Sequence, residues 1–559
     1  MYTIGASLPW IGVILVYGFL THGVLLLNDG LYWDGWMLEV WQRNKDSDSM
    51  RRFFSEVGMP NLYFEHRLLG RLPKRQAAYR VISLVSILTI AVSVFLMGVF
   101  TNTLNPFQAA TVSLLLLSYP AYAVTFDANI SLQYTFKIAL FYAACLMAIT
   151  TISHSNPANV AIFSAALVLF FAAFSANSVL VYFWGFLAFY AWLVHARAPN
   201  GFGTLESAKV ISLAILPFVF WVIKETLTPR HGYYKSYNRL RFSLFSVLQV
   251  GLRAFRYGMD VPMLKPILEI VAAKQASLIL LGGLLGWLSY VFFKDFVAVQ
   301  TLDAVRILAI GYGLLLLGVA PFMAVGQGSW DGGWASKNFM LLHLPYALVV
   351  FGWLQVVPYS IGVILVPIIL LANALYVVKI HLFYIAASVK DKALIQWLSA
   401  NPHLGSASVI KIHDSHWIEY PFDRMSTMYW PGYLSCMIKS VWPNSRILGV
   451  LDGWIGSEGR SLTADEIEET LERTTIRYTF APQVQAGPQY LVTIQAPAAR
   501  FDAPKFVRAP DERGDVHPLK QPAMARMALE YLYLKWFSPA GLSDFFSNSF
   551  LFRASLLAS

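Results

Sequence analysis

Two aspartates stand where the first apolar segment of this 559-residue chain ends: Asp29, in a turn with Asn28 and Gly30, and Asp34, five positions on. Trp33, Trp36 and Trp41 surround them, side chains that prefer a membrane–water boundary. A carboxylate placed there can take a proton from a hydroxyl nucleophile, help hold a divalent cation, or only accept backbone N–H groups at a helix start. Asp127 follows another apolar segment, two residues before Asn129. Carboxylates at such depth are costly and tend to be functional, which makes all three candidates for catalysis. Asp29 is the first choice for a base. Asp34 heads an amphipathic pattern, with Trp36, Met37, Val40 and Trp41 on one side and Glu39, Gln42 and Arg43 on the other, so it reads as the N-cap of an interfacial helix. Asp127 has a structural use as well, capping the next helix or pairing with Lys137.

Residues 229–241 interleave cations with tyrosines: Arg230, His231, Tyr234, Lys235 and Arg239. Arg grips phosphate oxygens in pairs and Tyr hydroxyls add donors, so this segment suits a phosphorylated head group; the same residues suit bulk anionic lipid. Residues 326–339 combine glycines with Trp330, Asp331 and Lys337. Trp330 could stack on a sugar ring, Asp331 could bind its hydroxyls and Lys337 could reach a phosphate. His413, Asp414 and His416 have a spacing open to metal but no clear further ligand. There is no phosphate-binding Gly-rich loop, no HExxH and no CxxC pair.

The elements that must position these residues are membrane helices. Apolar residues make up 57% of the chain and its mean hydropathy is +0.53, beyond what a soluble domain shows. Apolar windows give about eleven spans, near 8–27, 80–101, 107–125, 132–152, 159–175, 177–195, 208–226, 273–293, 306–325, 339–355 and 359–385. The first lacks a basic leader and a cleavage site, so it reads as a span. An odd count gathers the long connections, 28–79, 227–272 and 326–338, on one face together with the tail. The fold class expected is an α-helical polytopic membrane protein over 1–385 with a soluble mixed α/β domain over 386–559. In that tail, 407–412, 446–451 and 490–495 read as strands, Thr463 and Glu466 form a capping box, and helices are expected at 390–399 and 521–537. Two cysteines, Cys145 and Cys436, exclude a disulfide framework. The net charge of +10 points to acidic partners, membrane lipid phosphates first, and nothing points to nucleic acid. Counting the cations of the long loops, Arg43 to Arg75 and Arg230 to Lys265, puts those loops in the cytoplasm.

An acidic residue in the first long loop, an interfacial helix after it, a second acidic residue one loop later and a C-terminal domain together resemble the GT-C glycosyltransferases. The segment 337–345, where Lys337 precedes leucines and Pro345, looks like a late-span segment of several such families. The resemblance implies transfer of a sugar from a polyprenyl-phosphate donor to a glycan, lipid or protein acceptor. It implies an extracytoplasmic site in a bacterial cytoplasmic membrane, against the charge count. Asp29 or Asp34 would be the catalytic carboxylate, Asp127 the second acidic residue and Lys337 a phosphate contact. A divalent cation, Mg²⁺ or Mn²⁺, would be held by Asp29 and Asp127 if one takes part. The family often has adjacent or alternating acidic residues in its first loop, and here they are five apart, which leaves open which Asp is the base. The tail matches no particular subfamily. Two other readings compete: an O-antigen or polysaccharide polymerase or ligase, which His231 beside Arg230 would suit, and a lipid-linked sugar transporter. Charges clustered at one interface and the lack of internal repeats count against transport.

Overall fold

In the computed structural model, which describes residues 4–152, 156–197, 203–236, 243–272, 301–326, 334–414, 431–452, 460–478, 480, 484–495 and 521–557, the chain is a helix-rich, multi-pass membrane protein with a small C-terminal sheet. Eight of the described helices are long and apolar enough to cross a bilayer: Ser7–Leu27, Arg75–Phe100, Ala128–Thr150, Asn177–Arg197, Thr204–Leu227, Ala304–Val325, Lys337–Val356 and Ile364–Ser399. Among the described residues the expected count of eleven is not reached. Pro106–Leu117 has 12 residues and Pro157–Ala173 has 17, so at 1.5 Å per residue they reach about 18 and 26 Å, short of the roughly 30 Å hydrocarbon core. The first of them stops because Pro120 removes a donor and disfavours helical backbone at Tyr119; a 3₁₀ turn, Pro120–Val124, follows. The span expected at 273–293 lies outside the described residues.

Local chemistry sets several helix starts. Asn105 accepts from Gln108 N at 2.9 Å while the Gln108 side chain accepts from Asn105 N at 3.1 Å, a reciprocal cap with Pro106 at the first helical position. Arg75–Phe100 packs against Pro106–Leu117 and Lys137–Thr150, and Thr301–Val325 packs against His343–Val356. The final membrane helix runs unbroken from Tyr359 to Ser399, 41 residues or about 60 Å. The helix expected separately at 390–399 is therefore the continuation of this one, and it carries Lys390 and Lys392 to Asp414 and Tyr531 of the tail.

In the tail, β1 (Val409–Asp414), β2 (Leu448–Leu451) and β3 (Gln489–Gln495) fall on the expected strands, and β4 (Leu551–Leu556) was not foreseen. The sheet order is β2-β1-β3-β4, with β2 and β3 parallel to β1 and β4 antiparallel to β3. Arg553 and Ser555 put polar side chains on that edge strand between Phe552, Ala554 and Leu556, an alternation that the sequence reading passed over. The expected capping box holds: Thr463 and Glu466 cap Ala464–Arg473 reciprocally. The helix Pro431–Val441 packs on β2 and also against Asp34–Arg43, so the tail sits directly on the first loop.

Candidate active site

The chain leaves the first span through a clamped turn. Asn28 Oδ1 accepts from Gly30 N and from the Tyr32 hydroxyl, both at 2.9 Å. Arg80, buried in the second span, donates to the carbonyls of Asn28 (3.1 Å) and Gly30 (2.7 Å), so a cation fixes the exit backbone. The Tyr32 hydroxyl also lies 2.5 Å from Tyr384 O, so its one proton is shared between the two acceptors, and the Tyr32 ring lies 4.3 Å from that of Phe126. Trp33 then adopts φ 40°, ψ −123°, a conformation that a bulky L-residue rarely takes, and stacks on Phe126 at 5.5 Å. Strain of this kind survives where surroundings over-determine it, and it clusters at functional sites. Asp34 is the next residue.

Asp34 opens the helix Asp34–Arg43 as its first turn, but it is not the N-cap that its position suggests; Trp33 occupies that position and makes no side-chain cap bond. Instead the Asp34 carboxylate faces out of the helix and is held by other elements. Asn129 Nδ2 donates to Oδ2 at 2.9 Å and the Tyr433 hydroxyl donates to Oδ1 at 3.4 Å. Asp127 does the capping, on two helices at once. Its Oδ1 accepts from Asn129 N (2.9 Å) and Ile130 N (3.1 Å), and its Oδ2 accepts from Gly35 N at 3.3 Å. Gly35 suits this approach, because a Cβ there would stand 3.3 Å from Asp127 Oδ2.

The two carboxylates are therefore linked through Asn129 and Gly35 although 93 positions separate them, and the Asp34 charge raises the cost of ionising Asp127. Burial first, then the charge of Asp34, pushes Asp127 up to about 7. Burial also moves Asp34 up, opposed by the Lys337 charge and by the bonds from Asn129 and Tyr433. Asp127 is 1% exposed, whereas Asp34 is half-buried, so only Asp34 presents its carboxylate outward. Lys337, at the start of another span, acts electrostatically on both. Burial and these carboxylates keep the Tyr433 phenol well above its ordinary range, so it stays a donor.

Asp29 belongs elsewhere. It is bound by Lys392 (2.5 Å), by Lys535 (2.9 Å) and by the Tyr531 hydroxyl, 2.9 Å from each carboxylate oxygen. Burial pushes its carboxyl up, but the two lysines outweigh that and hold it at about 2. It thus pins the exit turn to the last membrane helix and to the tail helix Gln521–Phe537. Such a carboxylate is a weak base while the two lysines hold it. Lys137, a second possible partner for Asp127, pairs with Glu65 at 2.5 Å.

The second loop lies nearby. Arg230 packs its side chain beside Gly58, and His231 N donates to Glu56 O at 3.2 Å. Tyr234 stacks edge-on with Phe53 at 5.7 Å and acts on Tyr433, while Lys235 is exposed. Buried Glu56 accepts from Tyr478 of the tail, which ties both loops and the tail together. Arg239, Trp330, Asp331 and His416 lie outside the described residues. His413 and Lys411 both contact Asp452 at 3.3 Å, and Asp414 pairs with Lys390. Among the described residues no group of three or more His, Cys, Asp or Glu converges as a metal site. Sequence reasoning missed Tyr433 and Arg80; the aromatic crowding of Tyr429, Trp430 and Tyr433 around Pro431 was the available signal for the first. Comparison with family models, curated proteins and solved structures gave no match.

Proposed function

We propose that the chain is an integral membrane glycosyltransferase of the GT-C type, moving a sugar from a polyprenyl-phosphate donor to a hydroxyl of a glycan, lipid or protein acceptor. The observation that carries this reading is the meeting of Asp34, Asp127 and Lys337, from three separate elements, at the mouth of an apolar helical bundle. In this reading Asp34 is the general base. Its carboxylate takes the proton as the acceptor O–H bond breaks and the oxygen bonds to the anomeric carbon. The bond from that carbon to the phosphate oxygen breaks with its electron pair, and Lys337 stabilises the charge that develops. Burial raises the proton affinity of Asp34, Asp127 aims its helix through Gly35 N, and Tyr433 and Asn129 orient the carboxylate.

Arg230, His231 and Lys235 of the second loop suit the donor head group as phosphate contacts. Among the described residues a Mg²⁺ or Mn²⁺ ion would find Asp34 alone open here, because Asp127 is buried with its oxygens taken by Asn129 N, Ile130 N and Gly35 N, so donor phosphate oxygens would have to supply most of its shell. The reading places the site and the tail on the extracytoplasmic side of a bacterial membrane. The decisive experiment measures sugar release from polyprenyl-phosphate donors by purified wild type, Asp34→Asn, Asp127→Asn and Lys337→Ala. Loss of at least a hundredfold in Asp34→Asn is expected. Wild-type turnover in all three variants would refute the reading.

A further inference from the structure

The tail helix Gln521–Phe537 is apolar on two opposite sides. Met524, Met527, Ala528 and Tyr531 recur at helical spacing and are buried, with the helix packed against the last membrane helix. Leu529, Tyr533, Trp536 and Phe537 recur at helical spacing too, yet they are 56, 61, 62 and 78% exposed. At about 100° per residue the two stripes centre about 180° apart, so the second faces away from the rest of the tail. Among the described residues beyond Ser399, Leu556 is the one other large apolar side chain left exposed. Single apolar side chains on a surface are ordinary, but four gathered on one helix face, three of them aromatic, mark an interaction surface.

The position of the helix says what covers that surface. Asp29 stands two residues past Leu27, where the first membrane helix, Ser7–Leu27, ends. Two extended residues reach at most about 7 Å, and the polar layer on each side of the hydrocarbon core is about 5–8 Å deep. Asp29 therefore lies at the bilayer boundary, and the tail helix touches it directly: Tyr531 and Lys535 each reach its carboxylate at 2.9 Å. Trp536 and Phe537 follow Lys535 in the same helix, and the Lys535 ammonium lies 5.9 Å from the Trp536 ring centroid. The Tyr533 and Phe537 rings lie 5.5 Å apart beside them. At this depth Trp and Tyr settle, with an apolar body towards the acyl chains and a polar edge towards water. Arg526 is exposed on the same outer side, nearer the helix start, where its long stem lets the guanidinium reach lipid phosphate. A second protein would also cover an apolar stripe, but the bilayer already reaches this level.

We infer that Gln521–Phe537 is a membrane-seated helix. Leu529, Tyr533, Trp536 and Phe537 lie among the head groups and first acyl carbons of the chain's own bilayer, with Arg526 at lipid phosphate. The tail is then held at the membrane from both sides of one helix, by Asp29 on the inner side and by lipid on the outer. The inference rests on the membrane helices alone and is independent of the transferase reading.

Two measurements test it on the full chain in lipid nanodiscs. Nitroxide labels are placed at Tyr533→Cys, at Phe537→Cys and, as a control, at Glu469→Cys on the exposed side of Ala464–Arg473, after the buried Cys145 and Cys436 are replaced by alanine. Oxygen, which concentrates in lipid, is expected to relax the first two labels several-fold more than a water-soluble nickel chelate does, with the order reversed at the control. A nickel effect that prevails at the stripe would show that it faces water, and shielding from both reagents would show that protein covers it; either result overturns the inference. Fluorine NMR of the fluorotryptophan-labelled chain, its native residues otherwise kept, gives the second measurement. The resonance lost in Trp536→Phe is expected to broaden with a doxyl-labelled lipid and to stay sharp with an aqueous gadolinium chelate, and the opposite response would refute the seat in the membrane.

Discussion

Neutralising Asp127 probes the carboxylate pair through stability alone. In the unfolded chain this carboxyl has the ordinary value of 3.8, and in the fold burial and Asp34 push it to about 7. Between those values the folded state binds the extra proton, so the stabilisation is full below about 3.8, falls as pH rises and levels off above about 7. At 1.36 kcal/mol per unit, the two units from pH 5 to 7 remove about 2.7 kcal/mol in the wild type. Asp127→Asn has no such proton. It keeps Oδ1 for Asn129 N and Ile130 N but turns an amide towards Gly35 N, losing one long bond of about 1 kcal/mol. The variant is therefore expected to match the wild type within about 1 kcal/mol near pH 5 and to exceed it by about 2–3 kcal/mol at pH 8. Denaturant unfolding in nanodiscs, followed by tryptophan fluorescence at pH 5 to 8, gives both curves. Parallel curves would show that Asp127 is not held protonated by burial, and the reasoning about the pair would fall with it. Because Asp34 is coupled to Asp127, an Asp34→Asn/Asp127→Asn double variant completes the cycle.

Tyr433→Phe removes a donor that favours ionised Asp34, so sugar transfer is expected to drop about tenfold and the acidic limb of its pH profile to move upward; an unmoved limb would mean that Tyr433 only packs. Asp29→Asn strips the partner from Lys392 and Lys535 and should lower stability by about 1 kcal/mol at neutral pH, after allowance for partial exposure. Because the folded carboxyl lies below its unfolded value, that deficit should vanish as pH falls through about 2, which unfolding curves in acid would check. Gly58 caps the helix Ser47–Val57 at φ 76°, and a Cβ there would stand 3.0 Å from Thr228 O. Gly58→Ala is expected to cost about 1–2 kcal/mol, read as a lower unfolding midpoint, and an unchanged midpoint would contradict the cap.

The sequence alone was enough for the bilayer character of the chain, for most of its long helices and for three of the four strands, because apolar run length and alternation are local properties. It also marked Asp29, Asp34 and Asp127 as candidates by the cost of charge at a membrane boundary, and Lys337 as a phosphate contact. What it could not rank was the three aspartates. Asp29 and Asp34 look alike in sequence, five positions apart in one aromatic stretch. Their difference comes from partners far along the chain: Lys392, Tyr531 and Lys535 bind Asp29, while Tyr433 and Asn129 turn Asp34 outward from its own helix. The Trp33 backbone that makes this possible is strained, and its ring packs against Phe126 and Tyr384 across the bundle. Proton affinity and hydrogen-bond direction depend on what surrounds a side chain in space, so only the tertiary structure decided which carboxylate is pinned and which is presented.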